Sequence, residues 1–511
     1  MMGRYVHRVR AAISLGASSI AIAAVVAVTA AALVPAQARG RVEQNVQDVP
    51  LSVSAISREM LERRGIMEIP DTVFIPGTDT TVSLRGATLL PGGSPNAQAS
   101  SFNDYGGGED FSTHLYNFDP MYGHGGLQNG VFTSNFQPYT FTFDGGEGII
   151  KVFGSSNNSL VNYDNNNPAA DETFIGTSAA TPTQFGIRAG VVLDSGLIFG
   201  GNFAVSYAHN KLDVQRDNDS LDAGCESDDL DQELCISAAD AFAAYSGLGK
   251  VYGGLGETAY AGLYNMTYGG IAHVTNADPN LRTGEHEVFG LSNVYGWFVP
   301  DVTGVQQAVR VKVATSPISG FIFSASAGNP NNVGAGFDAG DSYWDAALRY
   351  AGEFGAFRVA AGAGYQDFDR DTPGYSQQNL TGVITVLHNP TGFFGTVNIT
   401  RTERDSPMAL GAGETDSASN IYAHAGLKRT WFGIGQTTIY GEYGVTNDGE
   451  SSASGHYVDG AKSVNVGVGL VQNFDMYGVS GYMTYNNVSA ERNGIKAQDI
   501  DLFQFGVRTQ Y

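Results

Sequence analysis

Five carboxylates, Glu226, Asp228, Asp229, Asp231 and Glu233, stand between Cys225 and Cys235, the two cysteines of the chain. In an oxidising compartment such a pair closes a small ring, which typically stabilises by about 2–4 kcal/mol. The carboxylates make the stretch acidic, and their oxygens suit Ca²⁺. The spacing lacks the central Gly and terminal Glu of an EF-hand, so a solvated acidic loop with a disulfide is expected, with Ca²⁺ as the alternative and no other cofactor. A second charged set is spread more widely. Asp278, Glu285, Glu287 and Asp301 share a polar stretch with His273, Arg282 and His286. Arg188, Arg310, Lys312, Arg349 and Arg358 each alternate with apolar neighbours. Carboxylates facing bases across water create a transverse field that sorts solutes by size and charge.

Nucleophilic chemistry has one candidate. Gly176-Thr177-Ser178-Ala179-Ala180-Thr181-Pro182 resembles the nucleophile motif of subtilisin-like proteases, with His124-Gly125-Gly126 and Asp71-Thr72 upstream in that family's order. The triad needs an α/β domain to seat the base and an oxyanion hole. Ser178 precedes a strand pattern where the family opens a buried helix, and Phe185 stands where it wants a small residue. No His/Cys cluster has zinc spacing, and no Gly-rich phosphate loop joins a strand to a helix. The expectation is that the chain is not an enzyme.

The charged sets therefore depend on the strands that carry them. Ribbons of roughly ten residues are expected to start near 148, 184, 196, 241, 257, 303, 318, 342, 356, 379, 392, 418, 434, 463, 477 and 499. Side chains alternate across a strand, so Val309, Val311 and Val313 oppose Arg310 and Lys312. Phe503, Phe505, Val507, Thr509 and Tyr511 likewise oppose Gln504, Gly506, Arg508 and Gln510. Short turns fall near 195, 254, 316, 354, 390, 432 and 475. Long loops span about 155–183, 210–240, 269–302, 329–341, 369–378, 403–417, 447–462 and 488–498.

Sixteen ribbons with this short/long rhythm predict an all-β fold, a transmembrane antiparallel β-barrel. Gln137–Asp144 alternates too and, with a strand near 80–86, would make eighteen. Asp499–Tyr511 is expected to close the cylinder against Gly148–Gly154. The composition agrees: 15% charged residues, 67 Gly, 25 Tyr and 28 Phe, with a mean hydropathy of −0.12. A net charge of −23 excludes nucleic acid as a partner.

Residues 1–38 read as a signal peptide, with Arg4, Arg8 and Arg10 before an Ala/Val/Ile-rich core and Ala36-Gln37-Ala38 as the cleavage site. Residues 39–130 form an N-terminal extension ending in a Gly/Ser/Asn-rich linker, and 131–511 the barrel. Within the extension, Val46-Gln47-Asp48-Val49-Pro50-Leu51-Ser52-Val53-Ser54, Arg58-Glu59-Met60-Leu61-Glu62-Arg63-Arg64-Gly65 and Val82-Ser83-Leu84-Arg85-Gly86 resemble the start of the plug domain of TonB-dependent receptors. Residues 148–511 resemble the general porins of Gram-negative bacteria in strand count, loop rhythm and terminal aromatic.

That second resemblance implies an outer-membrane homotrimer and passive diffusion of small hydrophilic solutes and ions. It also implies a third loop folded inward, bringing Asp278, Glu285, Glu287 and Asp301 to a constriction. Its partners would be outer-membrane lipid, lipopolysaccharide and the barrel-assembly machinery, the last reading Phe503, Phe505, Val507 and Tyr511. The acidic mouth would favour cations weakly, subject to reversal by the wall bases. A diverged TonB-linked transporter with a truncated plug and a non-conducting surface adhesin on the same barrel are the alternatives.

Overall fold

The computed structural model describes residues 72–74, 81–83, 139–143, 146–164, 172–177, 183–208, 233–245, 248–275, 304–316, 318, 320–330, 340–371, 373–432, 434–474 and 479–510. The chain divides into two units, Met1–Pro95 and Asn96–Tyr511. In the first, Thr72–Phe74 pairs antiparallel with Thr81–Ser83. The signal segment, most of the plug-like stretch, Asp71, His124, Ser178 and Tyr511 lie outside the described residues.

The second unit is a closed antiparallel barrel. Its sixteen wall strands begin with β1 Gly146–Asp164, β2 Thr183–Leu193, β3 Leu197–Ala208, β4 Glu233–Tyr245 and β5 Gly249–Glu257. Next come β6 Gln307–Thr315, β7 Phe321–Asn329, β8 Ser342–Phe354, β9 Phe357–Asp369, β10 Ser376–His388 and β11 Phe393–Asp405. β12 Ser417–Arg429, β13 Thr437–Asn447, β14 Ala461–Phe474, β15 Val479–Arg492 and β16 Ile500–Gln510 complete it. Alternation decides which side chain faces where. Val311, Phe323, Ile399, Val468 and Phe505 point outward and are exposed, whereas Arg310, Ser324, Thr400, Ser463 and Gln504 are buried inside. A wall with this polarity is the inverse of a soluble core and matches lipid outside and water inside.

Three expectations need correction. The first is the closing seam. β16 pairs with the second half of β1, Asp501 opposite Asp164 through Gln510 opposite Ser155, and not with Gly148–Gly154. The first half of that edge is taken by Tyr139–Phe143, whose Tyr139 lies opposite Ile150. Gln137–Asp144 thus does contain a strand, but it continues the line of β16 and leaves the wall at sixteen. The second concerns 155–183, expected as loop. β1 runs to Asp164, and Glu172–Thr177 pairs back onto it ahead of β2. The third concerns the ribbons expected at 241 and 257. β4 and β5 occupy 233–245 and 249–257, with the turn at Leu248 and not near 254.

Glycines in the middle strand of a triplet let the flanking strands touch inside the barrel. At Gly506 of β16 a Cβ would collide with Tyr482 of β15, whose hydroxyl reaches across to Asn157 of β1 at 2.7 Å. Gln504 reaches Ser159 of β1 at 2.8 Å, so the seam is sealed by side chains as well as by the ladder.

Candidate functional site

Between β5 and β6 the chain does not form an external loop at once. Residues Thr258–Thr275 are almost wholly buried inside the barrel. The loop between strands therefore begins at 258, well before the expected 269, and its aromatics belong to no strand. Tyr260, Leu263, Met266, Tyr268, Ile271 and Val274 form one apolar cluster with Ala347, Ala360, Val383, Leu387, Phe394, Tyr440, Val471 and Tyr482 of the wall. Small wall residues make the seat. A Cβ at Gly362 of β9 would lie 2.7 Å from Leu263 Cδ2 and 2.9 Å from Met266 Sδ.

Polar anchors set the segment's path along the wall. β8 offers a carboxylate and a guanidinium four residues apart on its inner face. Asp345 accepts from the amides of Ala259 (3.3 Å) and Tyr260 (2.9 Å), and from the amide and hydroxyl of Ser326. Arg349 donates to the carbonyls of Ala259 (2.9 Å) and Ala261 (2.7 Å). One strand thus satisfies both polarities of a backbone that has left its sheet, as buried backbone groups require. Further along, the Tyr260 hydroxyl meets Thr381 at 2.5 Å, and Thr385 accepts from the Tyr268 amide at 3.2 Å. His424 meets the Thr267 hydroxyl at 2.8 Å, Lys428 donates to Tyr268 O at 2.8 Å, and Thr438 donates to Gly269 O at 3.0 Å. The far end reaches Tyr440, which donates to Val274 O at 3.3 Å, and Tyr482, whose ring lies edge-on to His273. Burial, aided by the nearby charge of Arg508, holds the His273 imidazole well below its ordinary pKa and so neutral at neutral pH. At the other end of the loop Gln366 grips Val305 by both its amide (2.6 Å) and its carbonyl (2.9 Å).

A second polar line crosses the wall from β2 to β6. Arg188 Nε donates to Asn202 Oδ1 (2.8 Å), and Asn202 Nδ2 donates to Asp240 Oδ1 (2.7 Å). Arg310 Nη2 donates to Asp240 Oδ2 (2.7 Å). Arg310 also donates to Glu257 O and Gly254 O. The ion pair passes over β5 because β5 has glycine there.

The five expected wall bases, Arg188, Arg310, Lys312, Arg349 and Arg358, all stand on the inner face and are buried. Arg310 and Arg349 hold structure, and Arg358 lies 5.3 Å from the centre of the Tyr268 ring. Asp278, Glu285, Glu287 and Asp301 lie outside the described residues, as do Arg282, His286 and Cys225. Cys235 stands in β4, so the disulfide and the Ca²⁺ alternative receive no test. Asp240, Lys250, Asp345 and Arg508 were not singled out from the sequence. Inward parity in a strand marks Asp345 and Arg508, whereas the misplaced β4–β5 turn hid Lys250.

No protein-family model matches the chain, and no curated protein does. Solved structures with a similar fold include an anion-selective porin from Comamonas acidovorans (14% identity, 71% of this chain and 100% of that one, TM-score 0.47). OmpT of Vibrio cholerae matches at 13% identity over 73% of this chain and 100% of that one, TM-score 0.46. OprB of Pseudomonas putida matches at 9% identity over 71% and 94%, TM-score 0.47.

Proposed function

We propose that the chain is a passive outer-membrane channel for small hydrophilic solutes and ions, narrowed from within by the β5–β6 loop. The observation that carries this reading is a closed barrel, apolar outside and polar inside, with Thr258–Thr275 hydrogen-bonded to its inner wall from β7 to β13 and in ring contact with β15. A soluble protein has no use for such an exterior, and a closed barrel is one of two architectures that satisfy every backbone group in lipid. Export through residues 1–38, insertion by the barrel-assembly machinery and assembly as a homotrimer belong to the same reading.

Thr275 and Gly304 flank the acidic stretch, and the described residues beside them bond to different walls. Val274 meets β13, and Val305 meets β9. Asp278, Glu285, Glu287 and Asp301 fall between these anchors in sequence, and their charge is proposed to oppose the wall bases. Replacing Glu285 and Glu287 by Gln is then expected to move the reversal potential in a salt gradient toward the anion value. An unmoved potential rejects their part in a constriction.

The deciding experiment is a planar-bilayer recording of the purified chain with and without residues 39–130. Stable conductance of similar size in both forms supports a porin-like channel. Conductance only after the deletion supports the plug reading, and none in either form removes transport altogether.

A further inference from the structure

The two ends of the luminal segment are held by different means. At the near end Asp345 and Arg349 grip the backbone with full charges. At the far end an imidazole is enclosed instead. Val274 N donates to Ile271 O at 2.8 Å, and the amide and hydroxyl of Thr275 donate to the same oxygen at 2.9 Å, which closes a turn around His273. His273 is only 3% exposed, and its Nε2 has no hydrogen-bond partner among the described residues.

The groups packed around this imidazole do not favour a charge on it. Tyr482 of β15 presents its ring at 5.5 Å between centres, and its hydroxyl donates to Asn157. Tyr440 of β13 donates to the neighbouring Val274 O. Arg508 of β16 brings a positive charge that opposes a second one at His273, and no carboxylate is among the groups acting on the ring. A phenyl ring would fill this place with no polar atom to satisfy, so the imidazole weakens the seat even at neutral pH. Acid weakens it further. A released imidazole takes a proton near its ordinary value of about 6.5. The seated one, held well below that value by enclosure and then by Arg508, stays neutral. Release therefore takes up a proton, and the seat is lost progressively as the pH falls below about 6.5.

We propose that His273 is an acid-operated catch, which in mild acid loosens the Ile271–Thr275 turn from β13 and β15. Asp278, Glu285 and Glu287 follow this turn in sequence. The catch thus acts on the stretch that supplies negative charge to the constriction, and as regulation of that constriction it rests on the channel reading above. His424 of β12, which meets Thr267 earlier in the segment, is a second imidazole in contact with it, so the test separates the two.

The test is amide hydrogen exchange of the refolded full chain in detergent, read by mass spectrometry on peptides spanning Gly269–Thr275 and corrected for the intrinsic pH dependence of exchange. One proton taken up per release gives about thirtyfold more of the released form at about pH 5 than at about pH 7.5. Exchange limited by local opening reports that ratio. His273→Phe keeps a ring without a titrating group and should show no such rise. His273→Gln should be equally flat, which guards against a phenyl ring that misfits. A flat wild type overturns the catch, as does a rise that persists in both variants. A rise that survives in His273→Phe and disappears in His424→Gln also overturns it and moves the acid response to β12. Bilayer recording at both pH values separates this proposal from the reading beneath it. Acid-sensitive exchange in a chain that never conducts refutes the channel and keeps the catch, whereas conductance with acid-insensitive exchange keeps the channel and removes the catch.

Discussion

Asp345→Ala is expected to free the first few residues of the luminal segment while leaving the barrel intact. The carboxylate accepts from two segment amides and from the Ser326 hydroxyl and amide. A buried donor left without its acceptor costs about 1–3 kcal/mol, so the anchor weakens by several kcal/mol in total. Arg349 holds the carbonyls of the same residues, and with the amides released it no longer fixes the backbone from both sides. The apolar cluster from Tyr260 to Val274 opposes release. Each large side chain there contributes about 1.5–3 kcal/mol of burial, which together exceeds the lost anchor. The outcome is therefore partial. Residues around Ala259–Ala261 peel away, while Leu263 to Val274 stay seated between Gly362 and Tyr482. Limited proteolysis of the outer-membrane form should show new cleavage near Ala259–Gly262, and single-channel current should rise and flicker. Asp345→Asn keeps one acceptor and should lie between the variant and the wild type. Wild-type proteolysis and current in Asp345→Ala would show that the segment does not depend on this carboxylate.

The wall was legible because alternation is a local property. Val309 to Val313 and Phe503 to Val507 reveal their faces within a few residues, and sixteen such ribbons recur with a short/long loop rhythm that only a barrel explains. The stagger between strands was not legible. A shift by an even number of residues keeps every side chain on its own face. Hydrophobic pattern alone therefore could not distinguish closure against Ser155–Asp164 from closure at the other end of the same strand. The luminal segment was hidden for a different reason. Tyr260, Leu263, Met266 and Tyr268 are as apolar as a lipid-facing ribbon, and their partners Ala347, Ala360, Gly362 and Gly364 are a hundred residues away and individually bland. Only the fold brings large side chains to small ones. Inward bases could be listed from parity, but not their tasks: Arg310 bridges strands, Arg349 holds backbone, and Lys250 shares the Tyr252 ring with Lys312.

Gly256→Val is expected to destabilise the wall at β4–β6 by disrupting the ion pair that crosses β5. A Cβ at this position would lie 2.7 Å from Arg310 Nη2 and 2.8 Å from Asp240 Oδ2, inside contact distance of both partners. Gly254, two residues earlier on the same face, has φ +124°, a backbone that side chains rarely adopt, and its carbonyl accepts from Arg310. The ion pair it shelters is fully enclosed, with the side chains 1% and 0% exposed. A branched side chain forces the guanidinium and carboxylate apart and leaves two buried charges without each other. Breaking a buried pair costs about 3–5 kcal/mol, whereas replacing both partners by groups of similar volume is often close to neutral. That difference supplies the control. Asp240→Asn/Arg310→Met should unfold near the wild-type temperature, and adding Gly256→Val to that background should cost far less than adding it to the wild type. Heat-dependent migration of the folded barrel on electrophoresis measures all four forms. A strong coupling between position 256 and the pair assigns the glycine to the passage of the ion pair over β5. An additive result would mean that the glycine serves the backbone of β5 alone.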